Sequence, residues 1–134
     1  MILGIGSDLC TVSRISEILE KQGQRFKTRC FADEEQAYAD SATDPDVTSA
    51  RYAKRWAAKE ACAKALGMGI REDVFLKDIV VIKDRLGKPV LDLRGGAKEQ
   101  LQAMAPPGLT AKLHLSLSDD SGLALAFVVI TAES

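Results

Sequence analysis

Apolar and small residues alternate at the start of the chain, where Ile2-Leu3-Gly4-Ile5-Gly6-Ser7-Asp8 reads as a short strand ending on an acid. The two-residue period puts Ile2, Gly4, Gly6 and Asp8 on one face, and two glycines there admit the close approach of another element. The spacing then changes to threes and fours. Ile15, Ile18 and Leu19 mark one side of a helix that Thr11 or Ser13 caps and Gly23 ends, while Arg14, Glu17 and Lys21 point elsewhere. A second helical stretch covers 33–38, and Asp44-Pro45-Asp46 breaks the chain before a third.

The stretch 48–66 has no glycine or proline and carries alanine at 50, 53, 57, 58, 61, 63 and 65, a strong helix signal stopped by Gly67. Alanine on nearly every side implies close packing all round. Strands follow at 79–82 and 90–93, joined by a turn containing Gly87-Lys88-Pro89, and a short helix at 97–104 ends before Pro106-Pro107. Leu113, Leu115 and Leu117 then alternate with polar residues until Asp119-Asp120-Ser121-Gly122 turns the chain into an apolar strand over 123–130. Helices early and hairpins late predict an α+β fold, helices packed on an antiparallel sheet.

Length changes the picture in one respect. A chain of 134 residues makes a single domain, 1–134, and buries only about two thirds of its unfolded surface, so an enzyme of this size borrows walls for a large substrate from a neighbouring subunit. A net charge of −1 gives no reason to expect nucleic acid. The N-terminus lacks the basic head and long apolar stretch of a signal peptide, and no apolar run approaches the roughly 20 residues of a membrane span, so a cytoplasmic protein without membrane contact is expected. Three widely spaced cysteines, Cys10, Cys30 and Cys62, with no Cys-x-x-Cys pair, indicate core-filling thiols rather than a disulfide framework or zinc cage.

Two carboxylates stand out. Asp8 by itself reads as a turn or cap acid sooner than as a metal ligand, and the second role needs a partner. Glu60 is the best one, because an acid within an alanine-rich helix is costly to bury without a cation or hydrogen-bond partner. One carboxylate from each of two elements, completed by phosphate oxygens, is how a protein usually holds Mg2+. At about 100° per residue Trp56, Glu60, Lys64 and Gly67 share one quadrant of the helix, a stripe suited to a phosphate and its metal, or equally to a surface Glu–Lys pair. Arg51, Arg55 and Lys59 form a second, basic stripe that reads as a solvated face. There is no P-loop and no complete dinucleotide fingerprint, although Gly67-Met68-Gly69 offers backbone N–H groups to an anion. His114, the one histidine, reads as a strand residue rather than a general base.

Taken together, the segments resemble the holo-acyl-carrier-protein synthase family of 4'-phosphopantetheinyl transferases. The likeness rests on Gly4-Ile5-Gly6-Ser7-Asp8, Arg14-Ile15, Phe31 with Glu35, Arg55-Trp56-Ala57-Ala58-Lys59-Glu60-Ala61, Lys64-Ala65-Leu66-Gly67, Gly87-Lys88-Pro89 and Leu115-Ser116-Leu117-Ser118-Asp119, in that order across almost the whole chain. The resemblance implies a 4'-phosphopantetheinyl transferase-like fold and Mg2+-dependent attack by a serine of apo-acyl carrier protein on the β-phosphate of coenzyme A. The products are the phosphopantetheinylated carrier, for fatty acid biosynthesis, and adenosine 3',5'-bisphosphate. It implies Asp8 and Glu60 as metal ligands, Lys64 as the phosphate-neutralising and catalytic cation, and Arg55, Lys64, Gly67, Pro89 and Ser118 around the nucleotide. It also implies a homotrimer with shared sites. Many relatives carry histidine where this chain has Asp119, to which no role is given. A coenzyme A binding module without catalysis, or a purely structural trimer, are the competing classes, and neither needs the Asp8 and Glu60 pair.

The carrier protein is acidic along the helix after its serine, so a basic docking surface is expected on the enzyme. Between positions 14 and 30 the chain has five cations, Arg14, Lys21, Arg25, Lys27 and Arg29, against two acids, Glu17 and Glu20. Arg14, Lys21, Arg25 and Arg29, with Ile18 or Phe26 as an apolar anchor, are the candidate carrier-binding residues.

Overall fold

The computed structural model describes residues 1–68 and 76–134. Strand β1 (Ile2–Thr11) leads directly into α1 (Val12–Gln22), and α2 (Gln24–Cys30), α3 (Asp33–Asp40) and the long α4 (Pro45–Ala65) follow. A 3-10 turn (Leu76–Asp78) opens a hairpin of β2 (Ile79–Lys83) and β3 (Pro89–Leu93), and α5 (Gly95–Met104) precedes β4 (Thr110–Asp120) and β5 (Leu123–Glu133). The main sheet has the order β1-β5-β4 and is antiparallel throughout, with the β2-β3 hairpin as a separate pair. The α+β expectation is met.

Several boundaries differ from the sequence reading for identifiable reasons. Asp8 lies inside β1, opposite Ala126, rather than at its end, because the ladder with β5 continues to the Thr11 and Leu123 pair. Thr11 occupies the cap position of α1 without a side-chain cap bond, and the Val12 N–H donates instead to the Gly122 carbonyl at 2.9 Å. Asp44-Pro45-Asp46 begins α4 rather than preceding it: Pro45 takes the first turn and the Asp44 carboxylate accepts from the Asp46 N–H. The segment after Gly23 is a helix, α2, whose Phe26 and Cys30 turn inward one turn apart.

The core is the contact of α4 with the inner face of the main sheet. Ala53, Ala57, Ala58 and Ala61 are completely buried, as are Ala124, Ala126, Val128 and Ile130 of β5. Small side chains let the backbones approach, and the approach is closest at the glycines of β1. A Cβ on Gly4 would overlap the carbonyl oxygen of Ala65, and one on Gly6 that of Ala61. The other face of the sheet has no cover among the described residues: Ile5, Leu9, Leu125 and Phe127 are 60%, 62%, 44% and 46% exposed. No helix among the described residues is long and apolar enough to cross a membrane.

Candidate active site

Because Gly4 and Gly6 bring β1 against the backbone of α4, the next residue on that face, Asp8, meets the side chains of the helix. Lys64 donates to the Ser7 carbonyl at 2.9 Å, and its Nζ lies 3.3 Å from Asp8 Oδ1. Glu60 sits one turn before Lys64, half-buried. Burial pushes the Cys10 thiol up, the charge of Arg14 opposes the shift, and those of Asp8 and Glu60 add to it. Gly67, exposed and at positive φ, closes the helix by donating to the Lys64 carbonyl. Gly69 lies outside the described residues. A cavity of about 290 Å³ lined by Ile5, Gly6, Ser7, Lys64 and Phe127 opens the cluster onto the uncovered face of the sheet.

Asp8 and Glu60 supply hard oxygen donors beside a cation, the donor set of a divalent ion that also binds phosphate. No group of three or more Asp, Glu, His or Cys suited to a metal occurs among the described residues. Two protein carboxylates therefore fit Mg2+ completed by substrate oxygens and water, and do not fit a closed structural metal.

The other residues that the resemblance assigns to the nucleotide lie elsewhere in the chain. Arg55 is nine residues from Lys64, about half a turn out of phase on α4. Its guanidinium lies 4.3 Å above the Tyr38 ring, which also carries Arg51 at 4.4 Å and the Lys83 ammonium at 4.2 Å. Lys83 donates to the Tyr38 hydroxyl at 2.9 Å and holds that phenol below its usual range. Arg55 is 5% exposed, burial lowers its pKa, and its Nε has no hydrogen-bond partner among the described residues. Tyr38, Arg55 and Lys83 line a cavity of about 200 Å³ with Glu34, Val81 and Ile82, and Pro89 pairs with Lys83 across the hairpin beside it. Ser118 faces the uncovered side of the sheet, opposite Leu125, two strands and about 10 Å from β1. Asp119 is ion-paired with Lys54 at 3.1 Å.

Two readings are corrected. The Arg51, Arg55 and Lys59 stripe is not solvated: Lys59 is fully buried in an ion pair with Glu35 at 2.7 Å, and Arg55 is buried too. Glu35, Tyr38 and Lys83 gather around these cations without having stood out as site residues in the sequence, where the close packing implied by alanine around Lys59 was the available signal. Phe26 is 5% exposed and packs on Phe31 and Trp56, with ring centroids 5.5 and 5.7 Å away, so it is not a docking anchor. Arg14, Lys21, Arg25 and Arg29 are exposed, with Ile18 half-buried among them. His114 is exposed on β4 and bonded to Thr131 at 2.9 Å.

The geometry coincides with a family likeness over the whole chain. Residues 4–118 match the model of the 4'-phosphopantetheinyl transferase superfamily. A holo-[acyl-carrier-protein] synthase of Sphingopyxis alaskensis is 52% identical over 98% of both chains, and one of Rhodopseudomonas palustris is 50% identical over 98% of this chain and 94% of its own. Among solved structures, the holo-[acyl-carrier-protein] synthase of Neisseria meningitidis superposes with a TM-score of 0.79 at 39% identity, covering 98% of this chain and 99% of its own. That of Bacillus anthracis, in complex with CoA (3',5'-ADP), gives 0.76 at 34% identity, covering 100% and 99%. On this evidence the chain belongs to the holo-[acyl-carrier-protein] synthase family of the 4'-phosphopantetheinyl transferase superfamily.

Proposed function

We propose that this chain transfers the 4'-phosphopantetheine group of coenzyme A to a serine of apo-acyl carrier protein, as a step of fatty acid biosynthesis. The observation that carries the reading is the contact of Asp8 with Lys64, one helical turn from Glu60, in a chain half identical to holo-[acyl-carrier-protein] synthases. The serine oxygen attacks the β-phosphorus as its proton passes to water, the bond from that phosphorus to the bridging oxygen breaks, and adenosine 3',5'-bisphosphate leaves with the bonding electron pair. Phosphoryl transfer of this kind needs positioning and charge neutralisation rather than a protein nucleophile.

Asp8 and Glu60 would hold Mg2+, which when bound would neutralise the pyrophosphate. Lys64 is 56% exposed on its side chain, so its ammonium reaches a phosphate and protonates the leaving oxygen. Gly67, without a side chain, leaves room for the donor next to Lys64. A binding module without catalysis has no use for two acids beside a pyrophosphate, which favours the enzyme.

Arg55 and Pro89 belong to the nucleotide end of the site, Ser118 borders it, and a neighbouring copy brings these groups to Asp8, Glu60 and Lys64. The support is their separation within one chain, together with the apolar sheet face beside the Lys64 cavity. Covering that face with further copies makes a homotrimer. Three buried cysteines with no disulfide among them accord with a cytoplasmic location. Arg14, Lys21, Arg25 and Arg29, with Ile18, receive the acidic carrier protein. Mass spectrometry of an apo carrier protein incubated with the chain and coenzyme A tests the whole reading. The carrier gains one phosphopantetheine when Mg2+ is present and none in excess chelator; no gain in either case rejects the function.

A further inference from the structure

Glu35 and Lys59 form an ion pair in which neither side chain has any exposed surface. The ammonium donates to Glu35 Oε1 at 2.7 Å, to the Leu76 carbonyl at 2.9 Å and to the Ile79 carbonyl, which uses all three of its protons. The carboxylate accepts from the Ala32 N–H at 2.9 Å through Oε1 and from the Val81 N–H at 3.0 Å through Oε2. One pair thus ties together the start of α3, the middle of α4, the 3-10 turn and β2.

Three of the tied elements, α3, α4 and β2, carry a wall of the Tyr38 cavity a short step away. Tyr38 is three residues beyond Glu35 on α3, and Arg55 is four before Lys59 on α4, one turn in each case. Lys83 is two beyond Val81, on the same side of β2. Burying two charges is costly, and apolar residues of the same volume often serve stability as well. What apolar packing lacks is direction. Five hydrogen bonds of fixed length and angle set the height and rotation of β2 against both helices, and so the spacing of Arg55 and Lys83 over the Tyr38 ring.

We propose that Glu35 and Lys59 are positioning residues for the nucleotide end of the site, acting through Arg55, Tyr38 and Lys83. This rests on the reading of Arg55 as a nucleotide contact. The test compares Lys59→Met, Glu35→Gln and Glu35→Asp with Val128→Ala, a core variant away from the cavity that lowers the melting temperature for packing reasons alone. Glu35→Asp keeps the charge and shortens its reach, so the series contains a folded member even where neutralising the pair unfolds the chain. Calorimetric binding of 3',5'-ADP and steady-state kinetics with coenzyme A are measured well below each melting temperature. The folded pair variants weaken 3',5'-ADP binding and raise the coenzyme A KM about tenfold, with kcat at saturation within about threefold of wild type, whereas Val128→Ala changes neither. Wild-type affinity in the pair variants, or an equal loss in Val128→Ala, overturns the proposal. A wild-type protein that transfers phosphopantetheine but does not bind 3',5'-ADP overturns the nucleotide reading of Arg55 beneath it.

Discussion

Of the three lysines on α4 that each meet a carboxylate, Lys59 and Lys64 form pairs of opposite character. Lys59 and Glu35 are 2.7 Å apart with no exposed surface, and the hydrogen-bonding capacity of the ammonium is spent on the fold. Lys64 and Asp8 are 3.3 Å apart with side chains 56% and 18% exposed, beside Glu60 and a cavity that leads to the surface. Five residues along a helix rotate the side chain by about 140°, which is enough to move from the core to the edge of β1. The same two residue types are a clamp where water is excluded and a reaction site where it is admitted. Saturation rather than identity separates them.

The widest gap between the pairs should appear in stability. Removing one partner of a buried pair leaves an uncompensated charge, so Lys59→Ala should cost about 3–5 kcal/mol, while Lys64→Ala should cost under about 1 kcal/mol because its pair is solvated. In kinetics the order reverses: Lys64→Ala keeps the fold, weakens coenzyme A binding and slows turnover. Urea melts and steady-state assays on the two variants check this, and equal destabilisation would erase the distinction.

The uncovered sheet face offers the next test, since the open pair is proposed to be completed by a neighbour. Phe127→Asp places a charge in the apolar strip and should convert a trimer to monomers with little transfer activity, read by sedimentation. A monomeric variant with full activity would make the Lys64 site complete within one chain. The smallest effect belongs to the basic surface of α1 and α2. Charge reversal at Arg14 and Arg25 should raise the KM for the carrier protein and flatten its salt dependence, leaving that for coenzyme A nearly unchanged. Equal changes for both substrates would move the docking surface elsewhere.

How much of this was legible in the sequence follows the same division. The meeting of Asp8 with Lys64 was legible because strand and helix periods place them without knowledge of the tertiary fold and the Gly4 and Gly6 face foretold the close contact, whereas the roles proposed for Asp8, Glu60 and Lys64 come from the resemblance. Lys59 was misread because α4 has alanine on all sides: without a polar face, periodicity does not say which cation points inward. Phe26 was misplaced because Gly23 hid a second short helix whose own period turns that ring into the core. Arg55 and Ser118 were assigned to one site by resemblance, but within one chain they occupy different faces. Strand ends were missed where pairing across β5 carries β1 beyond its local pattern.

The central claim is that Asp8 and Glu60 make the open cluster catalytic. It is tested most directly by transfer to an apo carrier protein, followed by mass spectrometry at ordinary Mg2+, with Asp8→Ala and Glu60→Ala set against wild type and melting temperatures measured in parallel. Each variant should lose at least about a hundredfold in rate while melting close to wild type. Wild-type transfer by either one would contradict the account.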